Sequence, residues 1–155
     1  MLRTWSFAFP LIVFAAGCAR DKPPSEATIE NTTFAPSLGI DLAGMAKTPT
    51  GLYYKDVIIG TGPEAVPGQQ VSVHYAGALA DGTQFDANGS ADPAYSFKLG
   101  VGAVIAGWDE GVAGMKVGGR RQLIIPSSLG YGIAGHGPIP GHSILVFTVD
   151  LVGLQ

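Results

Sequence analysis

The stretch AVIAGWDEGVAGM, residues 103–115, sets the broad indole of Trp108 among Gly107, Gly111 and Gly114 in a segment that otherwise reads as a short helix. Each glycine inside a helix costs about 1 kcal/mol relative to alanine. Glycines at this density call for a close backbone approach, and the indole for a broad apolar contact. The side chains that usually carry chemistry are few. His74, His136 and His142 lack metal-ligand spacing, and Cys18, the sole cysteine, is remote from them in sequence. His74 falls on the polar side of an alternating strand, where a hydrogen bond within the fold is its ordinary fate. His136 and His142 lie in a Gly/Pro loop and read as solvated. The pair Asp109–Glu110, in the first turns of the helix, reads as a complement to the helix dipole. No Gly-x-Ser-x-Gly elbow, phosphate loop or dinucleotide fingerprint occurs. An enzyme built from this inventory works without metal, cofactor or obvious nucleophile.

The elements that must position these residues are mostly strands. GLYYKDVII is rich in β-formers and ends in the turn Gly60-Thr-Gly-Pro63. QVSVHYAGAL alternates, with Val71, Val73 and Tyr75 on one face and Ser72 and His74 on the other. An Asp81-Gly82 hairpin signal follows. AYSFKL, GRRQLIIP and SILVFTVDLVGL read as three further strands, the last with Leu145, Phe147, Val149 and Leu151 on one side. Val104, Trp108 and Val112 recur at i, i+4 and i+8, so one helix stripe faces the sheet. Strands with one short helix and no βαβ repeat give an α+β domain, an antiparallel sheet wrapped over that helix.

Composition excludes some classes. Of 155 residues, 46% are apolar and 14% charged, with a net charge of −3 and no basic run longer than Arg120–Arg121. A nucleic-acid partner would require a basic stripe to neutralise phosphates, and none is present.

The N-terminus stands apart. Arg3, the apolar run Phe7–Ala16 and the small-residue exit Ala15-Ala16-Gly17 form a signal peptide over residues 1–17, too short for a stable transmembrane helix. Cys18 directly after Ala-Gly resembles a bacterial lipobox, in which the thiol is diacylated and becomes the mature N-terminus; Ala15 stands where leucine is usual. A lone cysteine has no internal disulfide partner. The alternative is plain cleavage and a soluble secreted product. Residues 18–47 are polar, contain Pro23-Pro24 and show no sustained apolar period, which predicts a flexible tether with at most a brief helix near Ile40–Ala46. Loss of Arg3 makes the mature chain one unit more acidic, so membrane attachment would rest on the lipid. The folded domain is expected over 48–155.

VSVHYAGALADGTQFDA, FKLGVGAVIAGWDEGVAGMKVGGRRQLIIPSSLGYG and PIPGHSILVFTVDLVGL, in order and with their mutual spacing kept, closely resemble the FKBP-type peptidyl-prolyl cis-trans isomerases. The resemblance runs from about Thr48 to Leu154. It implies a curved antiparallel β-sheet wrapped around one short α-helix, with Trp108 as the floor of an apolar pocket under a prolyl ring and Gly107 letting backbone and ligand come close. Tyr75, Phe85, Phe97 and Phe147 would be aromatic walls. Val104 and Ile105 would line the rim, with the Ile105 amide open to a substrate carbonyl. Tyr131 would donate its hydroxyl beside the proline, Asp86 would orient Tyr75 or other pocket groups, and Ile139 would close the lid. The loop after Tyr131 is one residue shorter than the common form, and Ala103 and Ala106 replace larger or charged residues.

The resemblance implies an isomerase without cofactor acting on proline-containing polypeptides, with macrolides of the rapamycin type as inhibitors. The signal peptide and Cys18 make those polypeptides exported ones and the location a bacterial envelope, periplasmic or surface-facing. Residues 19–47 offer too little apolar periodicity for a dimerisation arm, so a monomer is expected. The competing assignment is an FKBP-like module that grips proline-containing partners without useful turnover, or more remotely a structural lipoprotein with a vestigial pocket. Turnover of a prolyl peptide separates them.

Overall fold

The alternating strands pair as one antiparallel sheet. The computed structural model describes residues 27–155; the expected signal peptide, Cys18 and the start of the expected tether lie outside the described residues. The elements are β1 (Ala46–Lys47), β2 (Tyr53–Ile58), β3 (Gln70–Leu79), β4 (Gln84–Asn88), β5 (Tyr95–Lys98), α1 (Ala106–Val112), β6 (Arg120–Ile125) and β7 (Leu145–Leu154). The sheet order is β1-β2-β6-β7-β3-β4, and β5 also pairs with β3. β3 therefore serves two short strands along one edge, β5 on Gln70–Val73 and β4 on Tyr75–Ala78. The expected hairpin forms between β3 and β4. Leu79 N–H donates to Thr83 O, Asp81 Oδ1 accepts from Thr83 N, and Gly82 takes φ +88°.

The period-2 sets face one core. Val71, Val73, Leu145, Val149 and Leu151 are fully buried, Phe147 almost so, together with Leu123 and Ile125 of β6. α1 lies across them, burying Gly107, Trp108, Gly111 and Val112.

The glycine stripe of α1 has a partner different from the expected ligand. A Cβ on Gly107 would lie 2.5 Å from Ile125 Cγ2, and one on Gly111 2.7 Å from Leu123 Cδ2. These glycines let the helix settle onto β6, and the close approach is made to the sheet. The helix C-terminus is closed by Arg121, whose Nη1 donates to Gly111 O (2.9 Å) and Ala113 O (3.2 Å). Its Nε and Nη2 bind both oxygens of Asp56 on β2, and the guanidinium lies over the Tyr54 ring. The unpaired carbonyls that end any helix thus find a cation.

The composition break at Thr48 is not the edge of the packed unit. Residues 27–45 run over the outer face of the sheet through single 3-10 turns at Ile29–Asn31, Pro36–Leu38 and Leu42–Gly44, the last standing where a brief helix was expected. Ile29, Phe34, Leu38, Ile40, Leu42 and Met45 pack with Tyr53, Ile124, Ile144 and Val146. Ala35 N–H donates to Ala80 O at the β3–β4 turn, and Gln122 Nε2 to Leu38 O. Glu30 accepts from Tyr53 Oη and pairs with Lys47. The expected tether over 18–47 is therefore packed in its described part. Outward-facing Ile124 and Val146 explain why: they are apolar on the sheet face that would otherwise meet water, and the strap covers them.

Candidate active site

Trp108 enters from the first turn of α1 and is 4% exposed. Tyr75 from β3 and Phe147 from β7 stand nearly perpendicular to its ring, at centroid distances of 5.0 and 5.3 Å. Phe85 from β4 meets Phe147 edge-on at 5.5 Å. Such edge-to-face pairs add about 0.5–1.5 kcal/mol each beyond burial. Gly77 on β3 makes room for them, since a Cβ there would lie 2.5 Å from the Phe147 ring and 2.9 Å from Phe85. Above the indole opens a cavity of about 500 Å³. It is lined by Tyr75, Phe85, Asp86, Tyr95, Ala103, Val104, Ile105, Trp108, Tyr131, His136, Pro138, Ile139 and Phe147.

Of the residues anticipated from sequence, only Phe97 is not on this wall. It lies behind the floor, 5.5 Å from Trp108 and stacked on Tyr95. Tyr95 takes the wall position, two residues earlier on the same strand face, which is the alternative the period-2 pattern allows. Sequence reasoning passed over Tyr95, Pro138 and the pocket role of His136. The imidazole of His136 stacks on the Tyr131 ring at 4.9 Å and 14°, while its backbone exchanges two hydrogen bonds with Ile139. One short loop thus seats Tyr131, His136 and Ile139 together. His74 Nδ1 instead pairs with Asn88 Oδ1 across β3 and β4, away from the cavity.

The cavity's polar groups are sparse. Tyr75 Oη donates to Asp86 Oδ2 at 2.7 Å. Burial first, and this bond second, push the Tyr75 phenol pKa well up. Burial also raises Tyr131, and no hydrogen bond among the described residues engages its hydroxyl. Both phenols are neutral donors at physiological pH. The acidic pair on α1 splits in role. Asp109 faces the loop before the helix, and Glu110 accepts from Thr50 Oγ1. Asp109 lies in the first turn of α1, where its charge complements the helix dipole, and both members also act as hydrogen-bond acceptors for two loops.

An apolar, aromatic-floored cavity with one unengaged phenolic donor, Tyr131, is suited to a flat, weakly polar ring flanked by carbonyls. A family model for the FKBP-type peptidyl-prolyl cis-trans isomerase matches residues 62–152. The chain belongs to this family. It is 49% identical over 118 residues to an FK506-binding protein of Streptomyces anulatus, covering 74% of this chain and 94% of that one. To an FK506-binding protein of Neisseria meningitidis serogroup B it is 50% identical over 103 residues, covering 66% and 94%. The crystal structure of FkpA from Escherichia coli is similar with a TM-score of 0.67 and 40% identity, over 72% of this chain and 52% of that one. That of AtFKBP13 matches with a TM-score of 0.67 and 38% identity, over 72% and 98%. The FKBP-type match begins at residue 62, so the strap over the outer face lies outside it.

Proposed function

We propose that this chain accelerates X-Pro rotation in exported polypeptides by seating the prolyl ring on Trp108. The observation that carries this is the cavity of about 500 Å³ with Trp108 as floor, Tyr131 as hydroxyl donor and Tyr75 held as a wall by its bond to Asp86. Rotation about the amide faces a barrier of about 18–20 kcal/mol because resonance must be lost. An acceleration of about four to five decades requires about 5.5–7 kcal/mol, at 1.36 per decade. The planar amide is dipolar and well hydrated, while the twisted amide has lost that charge separation. Moving it from water to an aromatic wall therefore raises the ground state more than the transition state. A hydrogen bond that strengthens on twisting adds about 1–2 kcal/mol. Tyr131 is the donor for a substrate carbonyl, and the Ile105 amide holds a neighbouring one. Asp86 acts through Tyr75, fixing the wall, and abstracts no proton.

A macrolide with a prolyl-like ring and flanking carbonyls fits the same walls, and the relatives named for FK506 binding support that ligand class. The protein works as a monomer. Cys18 after Ala16-Gly17 supports a lipid anchor on the bacterial envelope, with the domain held close to the membrane by a short linker to the strap. A prolyl-peptide isomerisation assay tests the activity: rate enhancement blocked by a rapamycin-type macrolide is the expected result. Binding of the macrolide with no enhancement would establish the non-catalytic module instead. Mass spectrometry of the mature N-terminus tests the anchor, which an unacylated Cys18 would refute.

A further inference from the structure

Asp109 follows the Trp108 floor in sequence, yet both of its carboxylate oxygens are occupied elsewhere. Oδ1 accepts from Gly100 N–H and Oδ2 from Gly102 N–H, each at 2.8 Å. Gly100 and Gly102 take φ +78° and +73°, left-handed values that a side chain resists, and Val101 between them is exposed. The next residues, Ala103, Val104 and Ile105, line the cavity. At its far end the loop is held again, because Trp108 N–H and Asp109 N–H both donate to Ile105 O.

We propose that Asp109 is a positioning residue for the prolyl site: its carboxylate clamps the 100–105 loop to α1 and so fixes the Val104 side chain and the Ile105 amide over Trp108. The proposal rests on the isomerase reading given above. A loop with two left-handed glycines and an exposed valine has little else to order it. Hydrogen bonds to a charged acceptor are about twice as strong as neutral ones. Both oxygens are engaged by the loop, so neither is left for the N–H groups of the helix's own first turn. The carboxylate's hydrogen-bonding capacity is directed at the loop as well as its charge at the helix dipole. The clamp joins floor and rim as one rigid body, which matters because small displacements of a positioned group are costly in a binding site.

The test compares Asp109→Asn with Glu110→Gln. Both remove one negative charge from the same helix, but only the first touches the clamp. Asparagine offers one acceptor and turns an N–H donor toward a backbone donor. With an active wild type, Asp109→Asn raises KM for a proline peptide about three- to tenfold with kcat within about twofold, since the grip is felt equally in ground and transition states. Glu110→Gln leaves both constants unchanged. Amide exchange in Asp109→Asn accelerates at Gly100 and Gly102 while that of β7 stays at the wild-type rate. An unchanged KM, or equal shifts in both variants, overturns the proposal. A wild type without turnover would refute the isomerase reading alone, because the exchange measurement still tests the clamp. If Asp109→Asn does not fold, the wild-type protein decides: Gly100 and Gly102 amides should exchange more slowly than that of Val101, and equal rates would refute the clamp.

Discussion

The Tyr75 hydroxyl donates to Asp86 Oδ2 at 2.7 Å, while the Tyr75 ring stands edge-on to Trp108 at 5.0 Å. Asp86 is thereby tied to the pocket floor through a single side chain. Tyr75→Phe keeps the ring and deletes the bond, and Asp86→Ala deletes it from the other side. Each should lower kcat/KM by about three- to tenfold, and the double variant by little more than either, since both cut the same link. Steady-state rates on a proline peptide would show this; fully multiplicative losses would mean that Asp86 acts on substrate independently.

Tyr131→Phe removes only a hydroxyl, and the ring keeps its stacking on His136. If that hydroxyl bonds the substrate more strongly in the twisted state, kcat should fall about tenfold, or about 1.4 kcal/mol. Thermal denaturation should shift little. An unchanged kcat would remove Tyr131 from the mechanism.

Activity should be flat from about pH 6 to 8. The donors Tyr75 and Tyr131 both have pKa values raised by burial, so neither loses its proton in that window. Because the folded-state values exceed the unfolded ones, the stability they contribute is whole below about pH 10 and declines as pH rises further. A steep pH–rate profile abolished by changing His136 would show that the imidazole titrates within the mechanism.

Gly107→Ala sets two effects against each other. Alanine favours a helix by about 1 kcal/mol. Its Cβ, however, would meet three Ile125 atoms at 2.5–2.9 Å, against a fully buried side chain. Overpacking of this kind costs about 1–3 kcal/mol, so the sum should be destabilising by about 1 kcal/mol or more. The displaced helix carries Trp108, and macrolide affinity should fall with stability. Calorimetric melting together with ligand titration would reveal a stabilised variant, the outcome that contradicts this packing argument.

The strap should loosen in acid. The Lys47 ammonium first, and the Tyr53 hydroxyl second, hold the Glu30 carboxyl down at about 2. A depressed folded-state pKa contributes stability above the ordinary value of 4.5, and that contribution fades as pH falls toward 2. Glu30→Gln should therefore melt below wild type at pH 7 and alongside it near pH 2. A gap that persists at the low end would place the effect of Glu30 elsewhere.

By itself the sequence determined the strands, because alternation over Val71–Tyr75 and Leu145–Leu151 admits one buried face and one register class. It also determined the hairpin at Asp81-Gly82, the helix around Trp108 and most of the pocket's rings, through motif resemblance. Tertiary structure decided what depends on which surfaces meet. Tyr95 and Phe97 lie two residues apart on one strand face, and only the seat of α1 makes Tyr95 wall and Phe97 backing. Gly107 signalled a close approach in sequence, but its partner, Ile125, comes from a distant strand. Residues 27–45 bury apolar side chains through isolated 3-10 turns, which impose no sustained period, so their packing on Ile124 and Val146 left no pattern to detect. Asp109 is an ordinary helix acid until the 100–105 loop folds back onto it, and closure of that loop is a property of the assembled chain.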